Sequence, residues 1–172
     1  LVLLKNHTLM KKTFFILLAS FAFIYTAQSQ RISKNAIGLR LGDSDGFGTE
    51  ISYQRSVFGD NNRLEFDLGW RTNDDFDAFR LTGLYQWVWI LDGSFNWYVG
   101  AGGGVAQVDF DNVPPALGDD SETYFYGAGN IGIEYNFGIP LLLSLDFRPE
   151  LGFGDFNDDL DFDVAFGIRY QF

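Results

Sequence analysis

The feature that most restricts this chain is the alternation of apolar and polar residues at period two, which recurs between turn signals from about residue 35 to Phe172. Successive side chains of a strand point to opposite faces, so this pattern builds two-faced strands, and no stretch holds a helical period of 3.6 for long. In Arg63-Leu64-Glu65-Phe66-Asp67-Leu68-Gly69-Trp70-Arg71 every even position is apolar and every odd one is polar or glycine. The last segment sets Phe162, Val164, Phe166, Ile168, Tyr170 and Phe172 against Asp163, Ala165, Gly167, Arg169 and Gln171. Leu141, Leu143, Leu145 and Phe147 oppose Leu142, Ser144, Asp146 and Arg148 in the same way.

Eight such segments follow one another, at about 35 to 42, 47 to 57, 63 to 72, 78 to 90, 95 to 109, 122 to 137, 141 to 152 and 162 to 172. Turn chemistry joins them: Asp43-Ser44-Asp45-Gly46, Gly59-Asp60-Asn61-Asn62, Asp92-Gly93-Ser94 and Gly138-Ile139-Pro140 are examples. Two places fit poorly. Pro149 cannot donate to a ladder, which predicts a bulge or a strand end there. Gly100, Gly102, Gly103 and Gly104 leave the inner and outer faces of the fifth segment unassigned.

Length and composition narrow the class further. With 172 residues the chain is one domain's worth, and 47% hydrophobic with 18% aromatic residues is too apolar for disorder. A formal charge of -11 argues against nucleic acid as a partner, because phosphate binding needs a basic patch. The absence of cysteine removes disulfides, thiolate zinc sites and cysteine catalysis.

Met10-Lys11-Lys12, the apolar run Thr13 to Tyr25 and then Thr26-Ala27-Gln28-Ser29-Gln30 have the order of a secretory signal peptide cleaved after Ser29. A 13-residue core is short for a spanning helix, which needs about 20. The expected organisation is therefore upstream translation over 1–9, a signal peptide over 10–29 and one domain over 30–172. That domain would carry 9 basic and 23 acidic residues, and the single histidine, His7, would not belong to it.

Alternation alone does not say which face meets water. A soluble barrel puts charges outside, whereas an outer-membrane barrel puts apolar residues toward lipid and charges in its lumen. Segments of about 10 residues suit an apolar band about 25 Å tall. Aromatic residues gather near segment ends: Trp87, Trp89, Phe95, Trp97, Tyr135, Phe137, Tyr170 and Phe172 toward one rim, and Phe47, Trp70, Phe79, Phe125 and Phe162 toward the other. With both termini on the periplasmic side, the four external connections and their flanks hold 14 of the 23 acidic residues. These features predict an all-β, eight-stranded antiparallel up-and-down transmembrane barrel.

Ile168, Tyr170 and the terminal Phe172, together with the glycine-rich run Tyr98-Val99-Gly100-Ala101-Gly102-Gly103-Gly104-Val105, resemble the small bacterial outer-membrane barrels of the OmpA-like and OmpX-like families. The resemblance implies residence in the outer membrane of a Gram-negative cell, contact with its lipid and lipopolysaccharide, and assembly by machinery that reads Ile168, Tyr170 and Phe172. It implies no cofactor. The peptidoglycan-binding domain of OmpA-type proteins would have no room after the last strand.

The charged face carries Arg40, Glu50, Glu65, Asp67, Arg80, Gln86, Asn130, Glu134, Asp146, Arg148, Glu150 and Arg169. An eight-stranded interior is just wide enough for side chains to fill, and unpaired charges there are costly. Arg40, Arg80, Arg148 and Arg169 are therefore expected to pair with Glu65, Asp67, Glu134, Asp146 and Glu150, plugging the bore. A narrow path for small solutes is the alternative. Without a histidine in the mature region a Ser-His-Asp system is impossible, and Glu65 with Glu134 or Glu150 is the remaining acid/base option. Asp155, Asn157, Asp159 and Asp161 have the spacing of oxygen ligands but lack the central glycine and terminal glutamate of a calcium loop, so a solvated acidic rim is the plainer expectation. The identity of any surface partner is not encoded here.

Overall fold

The computed structural model describes residues 32–42, 48–72, 76–110, 121–153 and 160–172. The leader, Phe47 and the candidate ligands Asp155, Asn157 and Asp159 lie outside these residues. Eight strands follow in chain order: β1 (Asn35–Leu41), β2 (Thr49–Ser56), β3 (Asn62–Thr72), β4 (Phe76–Asp92), β5 (Phe95–Phe110), β6 (Ser121–Asn136), β7 (Leu141–Phe153) and β8 (Leu160–Gln171). Each pairs antiparallel with the next, and β1 pairs with β8, closing an up-and-down barrel.

Closure is staggered. A row of ladder partners that starts at Ala36 passes through Gln54, Glu65, Leu84, Gly102, Ala128 and Glu150 to Asp161, yet Ala36 itself faces Gln171, ten residues further along β8. With a rise of about 3.4 Å per residue and strands about 4.8 Å apart, that stagger tilts eight strands by roughly 40° and sets a backbone radius of roughly 8 Å. Each residue then climbs about 2.5 Å along the barrel axis.

The tight connections share one rim. The β4–β5 turn has Gly93 at φ 48°, and the β6–β7 turn has Gly138 at φ 71° with its N–H donating to Asn136 Oδ1 at 3.0 Å. Both are left-handed positions that glycine accepts without a Cβ penalty. The strand ends on either side of 43–47, 73–75, 111–120 and 154–159 lie at the opposite, far rim.

The alternation sorts as the sequence implied, with polar positions inward and apolar positions outward. Ile37, Leu39, Phe66, Leu81, Ile131, Ile133, Leu145, Phe166 and Ile168 are exposed on the outside, whereas Arg40, Glu65, Asp67, Arg148 and Arg169 are buried inside. The glycines of β5 do not break its register with either neighbour. The inward position of Gly100 is fixed by its buried partners, and Gly132 on β6 sits under the Tyr98 ring, which a Cβ would meet at 2.5 Å. Gly104 lies under Tyr126 in the same manner. These glycines make room for tyrosines that cross the bore.

Pro149 corrects the sequence reading, since it creates neither a bulge nor a strand end. β7 runs on to Phe153, and its register with β8 is unbroken through Pro149 opposite Phe162. The effect of the proline falls on the other neighbour, where the β6 ladder passes from Ile131–Phe147 to Ala128–Glu150 without the two pairs between. The described register shift lies at Ile90/Asp92, beside the β4–β5 turn.

Gly38 is where β1 approaches β8 most tightly, because a Cβ there would overlap the Ile168 carbonyl. Gly38→Val is expected to open the closing seam, at a cost near or above the 1–3 kcal/mol typical of overpacking. The measurement is the folded fraction seen as heat-modifiable migration on SDS gels after refolding, and an unchanged fraction would contradict this geometry.

Candidate functional site: the lumen

The bore is filled by ionic side chains, most of them from β1, β2, β3, β7 and β8, while β4 to β6 add Arg80 and Glu134 together with Gln86, Asn96, Asn130 and the rings of Tyr98 and Tyr126. Glu50 on β2 is the hub. Its two oxygens accept from three arginines: Arg80 at 2.6 Å, Arg40 at 2.9 Å and Arg148 at 3.2 Å. Arg40 also reaches Asp146 at 2.6 Å and Asp163 at 2.5 Å, and Arg80 reaches Glu150 at 2.9 Å. Arg148 completes this layer with a close pair to Asp67.

Toward the tight-turn rim a second layer forms. Arg169 donates to Glu65 at 3.0 Å, Ser52 at 2.9 Å and Ser144 at 2.7 Å, and Gln54 donates to Glu65 at 2.6 Å. Arg63 donates to Glu134 at 2.6 Å and Gln86 at 2.5 Å, while its guanidinium lies 4.7 Å from the Tyr98 ring centre. Below it, Ile32 and Ser33 of the segment preceding β1 lie across the mouth, and Gln171 donates to Ser33 at 3.1 Å. The cavity enclosed there, between Ile32, Arg63, Asn96, Glu134 and Leu142, is only about 10 Å³. That is room for about one water molecule.

All nine residues read from the sequence as a lumen network, Arg40, Glu65, Asp67, Arg80, Glu134, Asp146, Arg148, Glu150 and Arg169, face the bore. The pairing differs from the sequence reading in three respects. Glu134 pairs with Arg63, Glu50 gathers three arginines, and Asp163 closes on Arg40. The missing signal was strand parity: Arg63 shares the odd face of Glu65 and Asp67, and Asp163 that of Arg169. The acid/base option is occupied otherwise, because Glu65, Glu134 and Glu150 are each within 3.0 Å of an arginine. Asp161, the described member of the candidate metal set, is the ladder partner of Glu150, and no cluster suited to a metal ion occurs among the described residues.

Outside, the two aromatic groups flank an apolar wall. At the tight-turn rim Trp89 stacks on Trp97 at 4.5 Å, Tyr135 meets Phe95 and Phe137 at 4.6 Å each, and Tyr170 stacks with Phe172 at 6.2 Å. Trp70, Phe79, Phe125, Phe153 and Phe162 are exposed toward the far rim. Phe125 and Tyr135 lie ten residues apart on β6, roughly 25 Å of axial height.

Solved structures share this architecture. The N-terminal β-barrel domain of OprF from Pseudomonas aeruginosa superposes with a TM-score of 0.63 at 14% identity, over 83% of this chain and 100% of that one. The fold is that of the eight-stranded outer-membrane β-barrels. Neisserial surface protein A matches with a TM-score of 0.53 at 14% identity, over 80% of this chain and 94% of its own. Ail, the attachment invasion locus protein of Yersinia pestis, matches with a TM-score of 0.55 at 15% identity, over 81% and 97%. No protein-family model matches the sequence, and no curated protein matches it.

Removing the hub should be costly. Glu50→Ala leaves three buried guanidinium groups short of a carboxylate, and an expected loss of about 3–5 kcal/mol follows from breaking a buried pair. Urea unfolding of the vesicle-inserted barrel measures it, and a loss below about 1 kcal/mol would mean that the remaining carboxylates substitute for Glu50.

Proposed function

We propose that this protein is an integral outer-membrane barrel with a structural or surface-interaction role, exported by the leader at 10–29, closed to solutes by its ionic lumen, and not an enzyme. The observation that carries the reading is the inversion of faces: a continuous apolar wall outside and paired arginines and carboxylates inside. An exposed apolar surface of that extent is costly in water and is satisfied by lipid. Outer-membrane lipid and lipopolysaccharide are then its immediate surroundings.

Charge limits the surface partner. Ail is described in complex with sucrose octasulfate, a heparin analogue. The present chain has a net charge of -11, and at the far rim Asp77 stands directly opposite Asp109 with Glu122 nearby. Like charge repels a polyanion, so this rim suits a cationic or neutral partner.

A second reading, a narrow conducting path, is favoured by one specific observation. Arg63 Nη2, Gln86 Nε2, Asn96 Oδ1, the Tyr98 hydroxyl and both amide atoms of Asn130 are buried in the bore without a protein hydrogen-bond partner. Such groups can be hydrated.

Membrane fractionation tests the class, with the protein expected in detergent-dependent outer-membrane fractions; a soluble mature protein would reverse the assignment of faces. Planar-bilayer recording is expected to be silent, and a reproducible open state would favour the second reading. Deleting Phe172 should lower assembly in cells while leaving refolding in detergent unchanged, because Phe172 would then act in recognition by the assembly machinery. Equal loss in both settings would instead make its role one of packing beside Tyr170.

A further inference from the structure

Pro149 leaves a defect in the wall at a depth where lipid surrounds the barrel. Phe137 donates its N–H to the Leu141 carbonyl, which makes that pair a hydrogen-bonded one. Hydrogen-bonded pairs recur at every second residue of an antiparallel ladder, so Gly129 and Pro149 occupy such a position. A proline has no N–H to give, and the Gly129 carbonyl therefore lacks the ladder donor it would receive from any other residue. On β6 it lies four residues, about 10 Å, below Phe125 and six residues, about 15 Å, above Tyr135. Inside an apolar band a carbonyl without a donor is expensive.

The surface next to it is shaped. Directly toward the tight-turn rim an apolar groove of about 320 Å³ runs across the outside of the wall, lined by Ile131, Ile133, Leu145, Phe147, Val164 and Trp97. Its upper wall residues, Ile131 and Phe147, are the next outward positions after Gly129 and Pro149 on the same two strands. Gly129 has no side chain, and the Pro149 ring is its outward neighbour, at 3.6 Å from where a Cβ would stand. An acceptor without a ladder partner thus adjoins an apolar seat. On the lumen side of the same seam, Asn130 has both amide atoms, and Arg148 its Nε, without a hydrogen bond, so the polar groups of this stretch are under-satisfied from both sides.

We infer that the β6–β7 seam is a lipid-facing binding site for a fatty acyl chain bearing a mid-chain hydroxyl, with the chain in the groove and the hydroxyl donating to the Gly129 carbonyl. An unsubstituted chain fills the groove but leaves the carbonyl unpaired, so the site distinguishes the two. The site rests on the membrane reading, which fractionation tests separately, and it is independent of whether the bore conducts.

The test uses the folded full barrel in detergent and two probes of equal length, 12-hydroxyoctadecanoate and octadecanoate, compared by native mass spectrometry. The depth of Gly129 places its carbonyl near the hydroxyl of the first probe. The expected result is a preference of about 2- to 10-fold for the hydroxylated chain, the range of one net hydrogen bond. Pro149→Val restores an N–H to the ladder and should abolish the preference while octadecanoate still binds. Leu145→Trp, which narrows the groove without touching the seam's hydrogen bonds, should weaken both chains together. Heat-modifiable migration confirms that each variant is folded. Equal binding by the wild type, a preference that survives Pro149→Val, or full binding by Leu145→Trp would each overturn the site.

Discussion

The closed backbone ladder is the constraint on which the rest depends. In a hydrocarbon environment each main-chain N–H and C=O needs a partner within the chain, and a sheet meets that demand only by joining its last strand to its first. Here β8 returns to β1 with a ten-residue offset, and that offset fixes the tilt and thereby the bore. A bore of this radius is too narrow to be a wide aqueous channel and too wide to be left empty. Its filling must be chosen to suit side chains that the alternation forces inward.

Two solutions coexist around the circumference. On β1 to β3, β7 and β8 the inward positions carry charges, and long arginines span the lumen to meet carboxylates on distant strands, as Arg40 does with Asp146 and Arg148 with Asp67. On β4 to β6 large rings lie over missing side chains: Tyr98 over Gly132 and Tyr126 over Gly104, with Tyr126 also hydrogen-bonded to Thr82 at 2.5 Å. Arg63 and Arg80 join the two halves by approaching the faces of these rings as well as their carboxylates. The result is a packed polar core in which Glu50 gathers three guanidinium groups whose charges it balances only together with Asp67, Asp146, Glu150 and Asp163.

Much of this was legible in the sequence because period two survives every local irregularity. The strand count follows from alternation and turn chemistry, while the choice of inward face needed the strand-end aromatics and segment lengths as well, and β5 stayed unassigned. The pairing was not legible, for a geometric reason. Glu134 and Arg63 lie on strands separated by β4 and β5, and only the stagger brings them to one height. Pro149 makes neither a bulge nor a strand end because a proline removes one donor from one side of a strand, so β8 still pairs with β7 while β6 loses contact locally. Among the β5 glycines, the inward facing of Gly104 is set by the Tyr126 ring above it and that of Gly100 by Gln86 and Asn130, contacts that alternation does not encode.

The strands differ greatly in length, which would have a mechanical meaning for a bilayer around the barrel. β1 has 7 residues and β2 has 8, whereas β4 has 17 and β5 and β6 have 16 each. Tilted by roughly 40°, the short pair covers about 17–20 Å of height and the long trio about 40 Å. One flank of the cylinder thus falls short of a hydrocarbon layer that the other flank overshoots. In a bilayer, lipid beside β1 and β2 would have to thin or the barrel would have to lean, at fractions of a kcal/mol per Å of mismatch. A barrel of this shape, set in a bilayer as proposed, would impose a thickness gradient on its own annulus, and neighbouring membrane proteins would sense its two flanks as different bilayers.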